Sequence, residues 1–209
     1  SAGLSLAPAT IAGERSVCVD FKDCIKDCLF HQGRGKMKVV REARIRRTME
    51  YLYDPMSFIN RKLVPDLASL ERKANKLGLK AAARLNVFSD EPWERYRKQL
   101  MNSFPNIQFY DYTKDEERMY KYLWGSLPDN YFLAFSRTQN NEDECRKLLS
   151  IGGCVALVVD EAPLEWYAYP TVSGDGHDLI FLHGKSKVIT LTPKGSAKKD
   201  ETGFLIRNA

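Results

Sequence analysis

Histidine is scarce in this chain, with only His31, His177 and His183 among 209 residues. Three scattered imidazoles do not make the paired-histidine motif of replication nucleases. Other signatures are missing as well. No apolar run approaches the ~18 residues of a membrane span, so no membrane association is expected. No Gly-x-Gly-x-x-Gly or Gly-x-Ser-x-Gly segment occurs, which removes the usual dinucleotide fingerprint and the hydrolase elbow. Gly33-Arg34-Gly35-Lys36 lacks the four-residue gap and the Lys-Ser/Thr pair of a phosphate loop, so a nucleoside triphosphatase is not indicated. The opening Ser1–Leu6 stretch has no basic start followed by a long apolar run, and no signal peptide is expected. The predicted compartment is the cytoplasm, which is reducing.

Cysteine is also sparse, at five residues, too few for a disulfide scaffold. Three of the five, Cys18, Cys24 and Cys28, lie within eleven residues, separated by five and then three positions. Zinc fingers and ribbons usually separate paired cysteines by about two to four residues, so the spacing does not match theirs. Three close thiols in a reducing compartment read as a metal or iron–sulfur site, with one coordination position open to a substrate or cofactor. A structural zinc completed by His31 or a carboxylate, and ordinary free thiols, are the alternatives. Cys145 in a helix and Cys154 at the start of a strand are expected to pack.

A balance of 44% hydrophobic and 28% charged residues is that of an ordered globular chain. The length suits one domain, residues 1–209, with a cysteine loop and helices in 1–80 and a βα-repeat part in 81–209. Apolar runs begin at Ala82, Ile107, Tyr131 and Cys154, at steps of 25, 24 and 23 residues. Helix signals fall between them at Pro92, Asp115 and Asn141, and Gly152-Gly153 closes the last helix. Strand, helix and strand at that step predict parallel βαβ units. Upstream, Ile45, Met49, Leu52 and Met56 form an expected buried stripe with Arg44, Arg46 and Arg47 facing away. Leu63, Leu67, Leu70, Ala74 and Leu77 form a second, ended by Gly78, with a break expected around Asp54-Pro55 and Pro65. Asp178–Leu182 and Val188–Leu191 read as further strands. The fold class is α/β: a partial (βα) barrel of parallel strands with an N-terminal cysteine loop and helices.

Parallel strands bring their carboxyl ends to one rim. The residues that follow the strands include Asn86, Asp90, Asp111, Lys114, Ser136 and Arg137, with His177 further on. Asp111 and Asp90 are suited to orienting a substrate, Arg137 and Lys114 to holding a phosphate or carboxylate, and His177 to moving a proton. For His177 the alternative is a histidine that merely caps the following strand. Charge adds a further expectation. Seven basic residues and one acid, Glu42, lie between Arg34 and Arg47. Arg34, Lys36, Arg44 and Arg47, with Lys194 and Lys198, are therefore candidates for a nucleotide or nucleic acid; a solvated helix face is the alternative.

The cysteine loop, the adjoining basic helix and the βα step together resemble the radical S-adenosylmethionine enzymes. That resemblance implies a 4Fe–4S cluster on Cys18, Cys24 and Cys28, with S-adenosylmethionine as a candidate second cofactor. The chain departs from the pattern in its cysteine spacing and in lacking a Gly-Gly-Glu-like segment after the first predicted strand. A second resemblance, to a small family of bacteriophage proteins, runs through nearly the whole chain. It rests on Gly3–Ala9, the cysteine loop ending Cys28-Leu29-Phe30, Gly33–Met37, Arg84–Asp90, Phe109–Lys114, Phe135–Arg137 and Gly174–Leu179. It implies a phage origin and fold, in the host cytoplasm, rather than a reaction; with the cysteine loop, the basic residues and the first resemblance, the expected function is an iron–sulfur protein that acts on or binds a nucleotide or nucleic acid. The alternative is a non-enzymatic nucleic-acid-binding protein of phage replication with a structural cysteine metal site, iron–sulfur or zinc.

Overall fold

A computed structural model of the chain describes residues 1–19, 21, 25–26, 28–96 and 100–207. It divides into two compact units: Ser1–Asp111 with Leu127–Tyr131, and Tyr112–Ser126 with Phe132–Ala209.

In the first unit a short strand, β1 (Ala2–Gly3), leads into the cysteine loop and two 3-10 turns, Leu29–His31 and Gly33–Lys36. Helices α1 (Lys38–Tyr53), α2 (Pro55–Phe58) and α3 (Val64–Lys76) follow, then β2 (Ala81–Arg84), α4 (Trp93–Tyr96) and the start of β3 (Ile107–Thr113). The break expected at Asp54-Pro55 is present. Asp54 accepts a hydrogen bond from the Ser57 amide at 2.9 Å, and Pro55 occupies the first turn, where its missing N–H costs nothing. Pro65 enters α3 after a π-helical turn, Ile59–Leu63, which absorbs the proline without ending the rod. Gly78 adopts φ +63° just past the helix, a backbone that favours glycine. β1 pairs with β2 and β2 with β3, both parallel, with Ala2 opposite Ala83 and Ala81 opposite Ile107.

The second unit carries α5 (Glu116–Leu123), most of β4 (Tyr131–Ser136), α6 (Glu142–Ser150), β5 (Val155–Val159), the hairpin β6 (Glu165–Trp166) and β7 (Tyr169–Ser173), then β8 (Val188–Leu191) and β9 (Leu205–Ile206). β5 lies between β4 and β8 and also pairs with β9, and β7 flanks β8; all of these pairings are parallel. β6 pairs with β7 antiparallel. The uninterrupted Val-Ala-Leu-Val-Val of β5 suits a strand covered on both faces. Leu133, Phe135, Leu148, Val155, Leu157 and Ile189 form its core.

The α/β class and the parallel strands agree with the sequence. The array is open, and among the described residues no barrel closes in either unit. Two readings are corrected. Residues 178–182 are not a strand: Ile180–His183 make a 3-10 turn. The stripe on α1 is also different. Met49 and Met56 are exposed, and the buried residues of α1 are Thr48 and Tyr51. No helix is long and apolar enough to cross a membrane among the described residues.

Candidate functional site

The cysteine loop is fastened to its unit by main-chain and side-chain bonds. After β1, Leu6 and Ala7 are fully buried. The Ala7 amide donates to Thr48 Oγ1 at 2.7 Å, and Arg47 Nη1 donates to the Ser5 carbonyl at 2.8 Å. Ser16 turns the chain by accepting from the Cys18 amide at 3.0 Å and donating to the Cys18 carbonyl at 2.8 Å. The Cys18 sulfur then accepts from the Ala9 amide at 3.2 Å and donates to the Phe88 carbonyl at 3.4 Å. The Asp90 amide donates to the Val17 carbonyl at 2.8 Å. Cys18 is thereby joined to the loop that leaves β2.

Cys28 caps the 3-10 turn that buries Phe30. The Arg44 guanidinium lies over the Phe88 ring at 4.5 Å and the Phe30 ring at 5.5 Å, a cation–π arrangement favoured by desolvation. Burial holds the Arg44 pKa below its usual value, Arg47 adds to that, and Cys28 opposes it. Arg44 Nη1 is buried and has no hydrogen-bond partner among the described residues. Cys18 and Cys28 are half-buried and take part in no disulfide. Cys24 lies outside the described residues. Among the described residues, no three His, Cys, Asp or Glu side chains gather in a metal-holding group.

Beside this loop, a buried polar knot fixes the segment after β2. Asn86 Oδ1 accepts from Ser89 Oγ, the Glu91 amide and Trp93 Nε1 at 2.8, 2.9 and 3.1 Å. Its Nδ2 donates to the Glu91 carbonyl and to Asp111 Oδ2. Asp111, fully buried, also accepts from the Asn86 amide at 2.7 Å and the Tyr131 hydroxyl at 3.0 Å. Glu91 accepts from the Tyr51 hydroxyl at 2.5 Å and pairs with Arg15 at 3.3 Å. Buried carboxylates persist where donors meet them, and these two tie three segments together. The structure thus brings Asn86, Asp90 and Asp111 into the same bonded network as Cys18.

The other sequence candidates belong to the second unit. Ser136 uses its carbonyl to accept from Asn141 Nδ2. Arg137, buried, pairs with Glu142 at 2.8 Å and donates to the Gly203 and Phe204 carbonyls at 2.6 and 3.2 Å. The Tyr167 hydroxyl and then, against burial, Arg137 hold the Glu142 carboxyl below its usual range. Lys114 is half-buried. His177 is exposed and stacks on His183, with ring centroids 5.2 Å apart. Burial, then His177, lowers the His183 pKa. Lys194 pairs with Asp175 at 3.2 Å, and Lys198 is exposed in the 3-10 turn Gly195–Lys199. In the first unit Arg34 and Lys36 are exposed while Arg44 and Arg47 turn partly inward.

Sequence reasoning did not single out Tyr131, Glu91, Tyr51, Arg15 or Phe88 as site residues. Nothing in their spacing announces them. The link from Asn86 to Asp111 was open to detection, because the two are 25 residues apart, one strand-to-strand step.

The fold and the loop define a class: an α/β protein of mostly parallel strands, with a thiol-bearing segment between its first strand and its first helix. Residues 1–208 match the family model described as gene product 88, and the chain belongs to that family. The membership agrees with the resemblance to bacteriophage proteins. No curated protein and no solved structure matches it.

Proposed function

We propose that Cys18, Cys24 and Cys28 hold one iron–sulfur cluster, and that the protein acts on or binds a nucleotide or nucleic acid beside it. The observation that carries this reading is that a loop thiol and a cation meet at one residue: Cys18 bonds the Phe88 carbonyl, and the Arg44 guanidinium covers the Phe88 ring. The parallel pairing of β1 with β2, and the loop lying between them in sequence, support a comparison with one arm of a partial (βα) barrel.

Charge supports such a group. Three thiolates bring negative charge, and half-buried Arg44 offers a cation whose Nη1 has no hydrogen-bond partner among the described residues to offset it. A 4Fe–4S cluster held by three thiolates supplies an iron with an open position for a substrate or a cofactor such as S-adenosylmethionine. The chain's own residues do the rest. The Ala9 amide orients the Cys18 sulfur, Phe30 and Phe88 exclude water, and Asn86 with Asp111 fixes the segment carrying Phe88. Exposed Arg34 and Lys36 supply positive charge next to the loop for phosphate.

Anaerobic purification tests the first half. The expected result is brown protein with about four irons and four sulfides per chain, lost on changing any of the three cysteines to alanine. Colourless protein with stoichiometric zinc overturns the cluster. Binding to single-stranded DNA or RNA across a salt series tests the second half. Arg34→Gln should weaken binding and lower the salt slope by roughly one unit. Nucleic-acid binding without a cluster would instead favour the non-enzymatic reading.

A further inference from the structure

A cavity of about 670 Å³ opens in the first unit, between α1, α3 and the edge strand β1. It shares Arg44 and Arg47 with the surroundings of the cysteine loop but is lined by none of the cysteines. Val40, Leu67 and Leu70 give it an aliphatic wall, and among the described residues no aromatic side chain lines it. Its described lining is one-sided in charge: Arg44, Arg47, Lys73 and Arg84 against a single acid, Asp66. Arg44, Arg47 and Lys73 have no carboxylate partner among the described residues. Arg47 spends one N–H on the Ser5 carbonyl, which holds the guanidinium at the wall and leaves its other donors.

The strand adds backbone to this wall. Leu4 directs both of its peptide groups to the neighbouring segment, donating to Arg84 and accepting from Val87. Alternation along an extended chain turns the Gly3 peptide away from β2, and Gly3 lines the cavity. Cations grouped above an aliphatic floor select a ligand with a negative head and an apolar body. The missing aromatic surface disfavours a nucleobase, which needs a ring to stack on.

We propose that this cavity binds a small amphipathic anion, an unbranched alkyl chain bearing a phosphate or carboxylate. The proposal stands whether or not the cysteines hold a cluster. Calorimetric titration of the full chain with decyl phosphate and with decanoate tests it, using inorganic phosphate and adenosine monophosphate as comparisons. Saturable binding of an alkyl anion is expected, with either comparison ligand at least about tenfold weaker. Lys73→Glu, at an exposed position, and Leu70→Trp, at a half-buried one, should each weaken decyl phosphate about tenfold, while Lys73→Arg retains it. Stronger binding of decyl phosphate than decanoate identifies the head group as phosphate, and the reverse as carboxylate. No saturable binding up to about 1 mM overturns the proposal. So does equal affinity for adenosine monophosphate, or binding that survives both disruptive variants.

Discussion

At Gly35 an added Cβ would lie 1.9 Å from the Phe30 carbonyl oxygen and 3.2 Å from Arg44 Nη1. The nearer atom is main chain in a tight 3-10 turn, so a methyl group cannot be accommodated by rotating a side chain. Gly35→Ala should therefore cost about 2 kcal/mol, the scale of overpacking a close-fitted site. A urea titration reads this as a lower midpoint with an unchanged slope; an unchanged midpoint would mean that the turn moves freely. The clustering of the loop cysteines is plain in the sequence, whereas the close approach of Gly35 to the Phe30 main chain is not. Nor is the role of Arg44. A basic residue in a basic run reads as solvated surface, and only the structure shows two aromatic rings beneath it.

Secondary elements divide along a similar line. β2, β3, β4 and β5 were legible because parallel strands bury both faces and need continuous apolar runs. β1 and β9, at two residues each, are too short to carry any period. On α1 the inward positions include Arg44, Arg47 and Thr48, so hydrophobic spacing pointed to the opposite side. The segment from Gly195 to Ile206 depends on Asp200 in a way its sequence does not announce. Burial pushes the Asp200 carboxyl upward, but bonds from the Thr202 hydroxyl and from the Leu205, Thr202 and Gly203 amides outweigh it and leave the pKa below 3.8. A depressed carboxylate contributes stability that is present above its unfolded value and lost as pH falls through the folded one. Melting temperature followed on acidification from that value should fall less steeply in Asp200→Asn than in the wild type. Parallel curves would remove Asp200 as the cause.

At the scale of the second unit, burial raises the pKa of several groups that are neutral in the folded chain. Burial raises the Cys145 thiol to about 12 from 9.0, and the Tyr122 phenol to about 12 from 10.0. Cys154 is shifted upward by burial as well. In these cases the unfolded chain loses its proton first. Their stabilising effect is complete below the unfolded values and disappears as pH rises through the folded ones. Alkaline unfolding should accordingly begin near pH 9.0, and Cys145→Ala should flatten the fall in melting temperature above that point. An identical alkaline profile in the variant would assign the loss to other groups.

The bonds from Arg137 to the Gly203 and Phe204 carbonyls make that late stretch of chain a counterpart to an interior cation. Exopeptidase digestion that passed Phe204 would strip acceptors from a charge already out of water. The Glu142 ion pair would remain, but the two lost carbonyls would leave part of the guanidinium unsatisfied, so the segment around Gly203 acts as a plug over an interior charge.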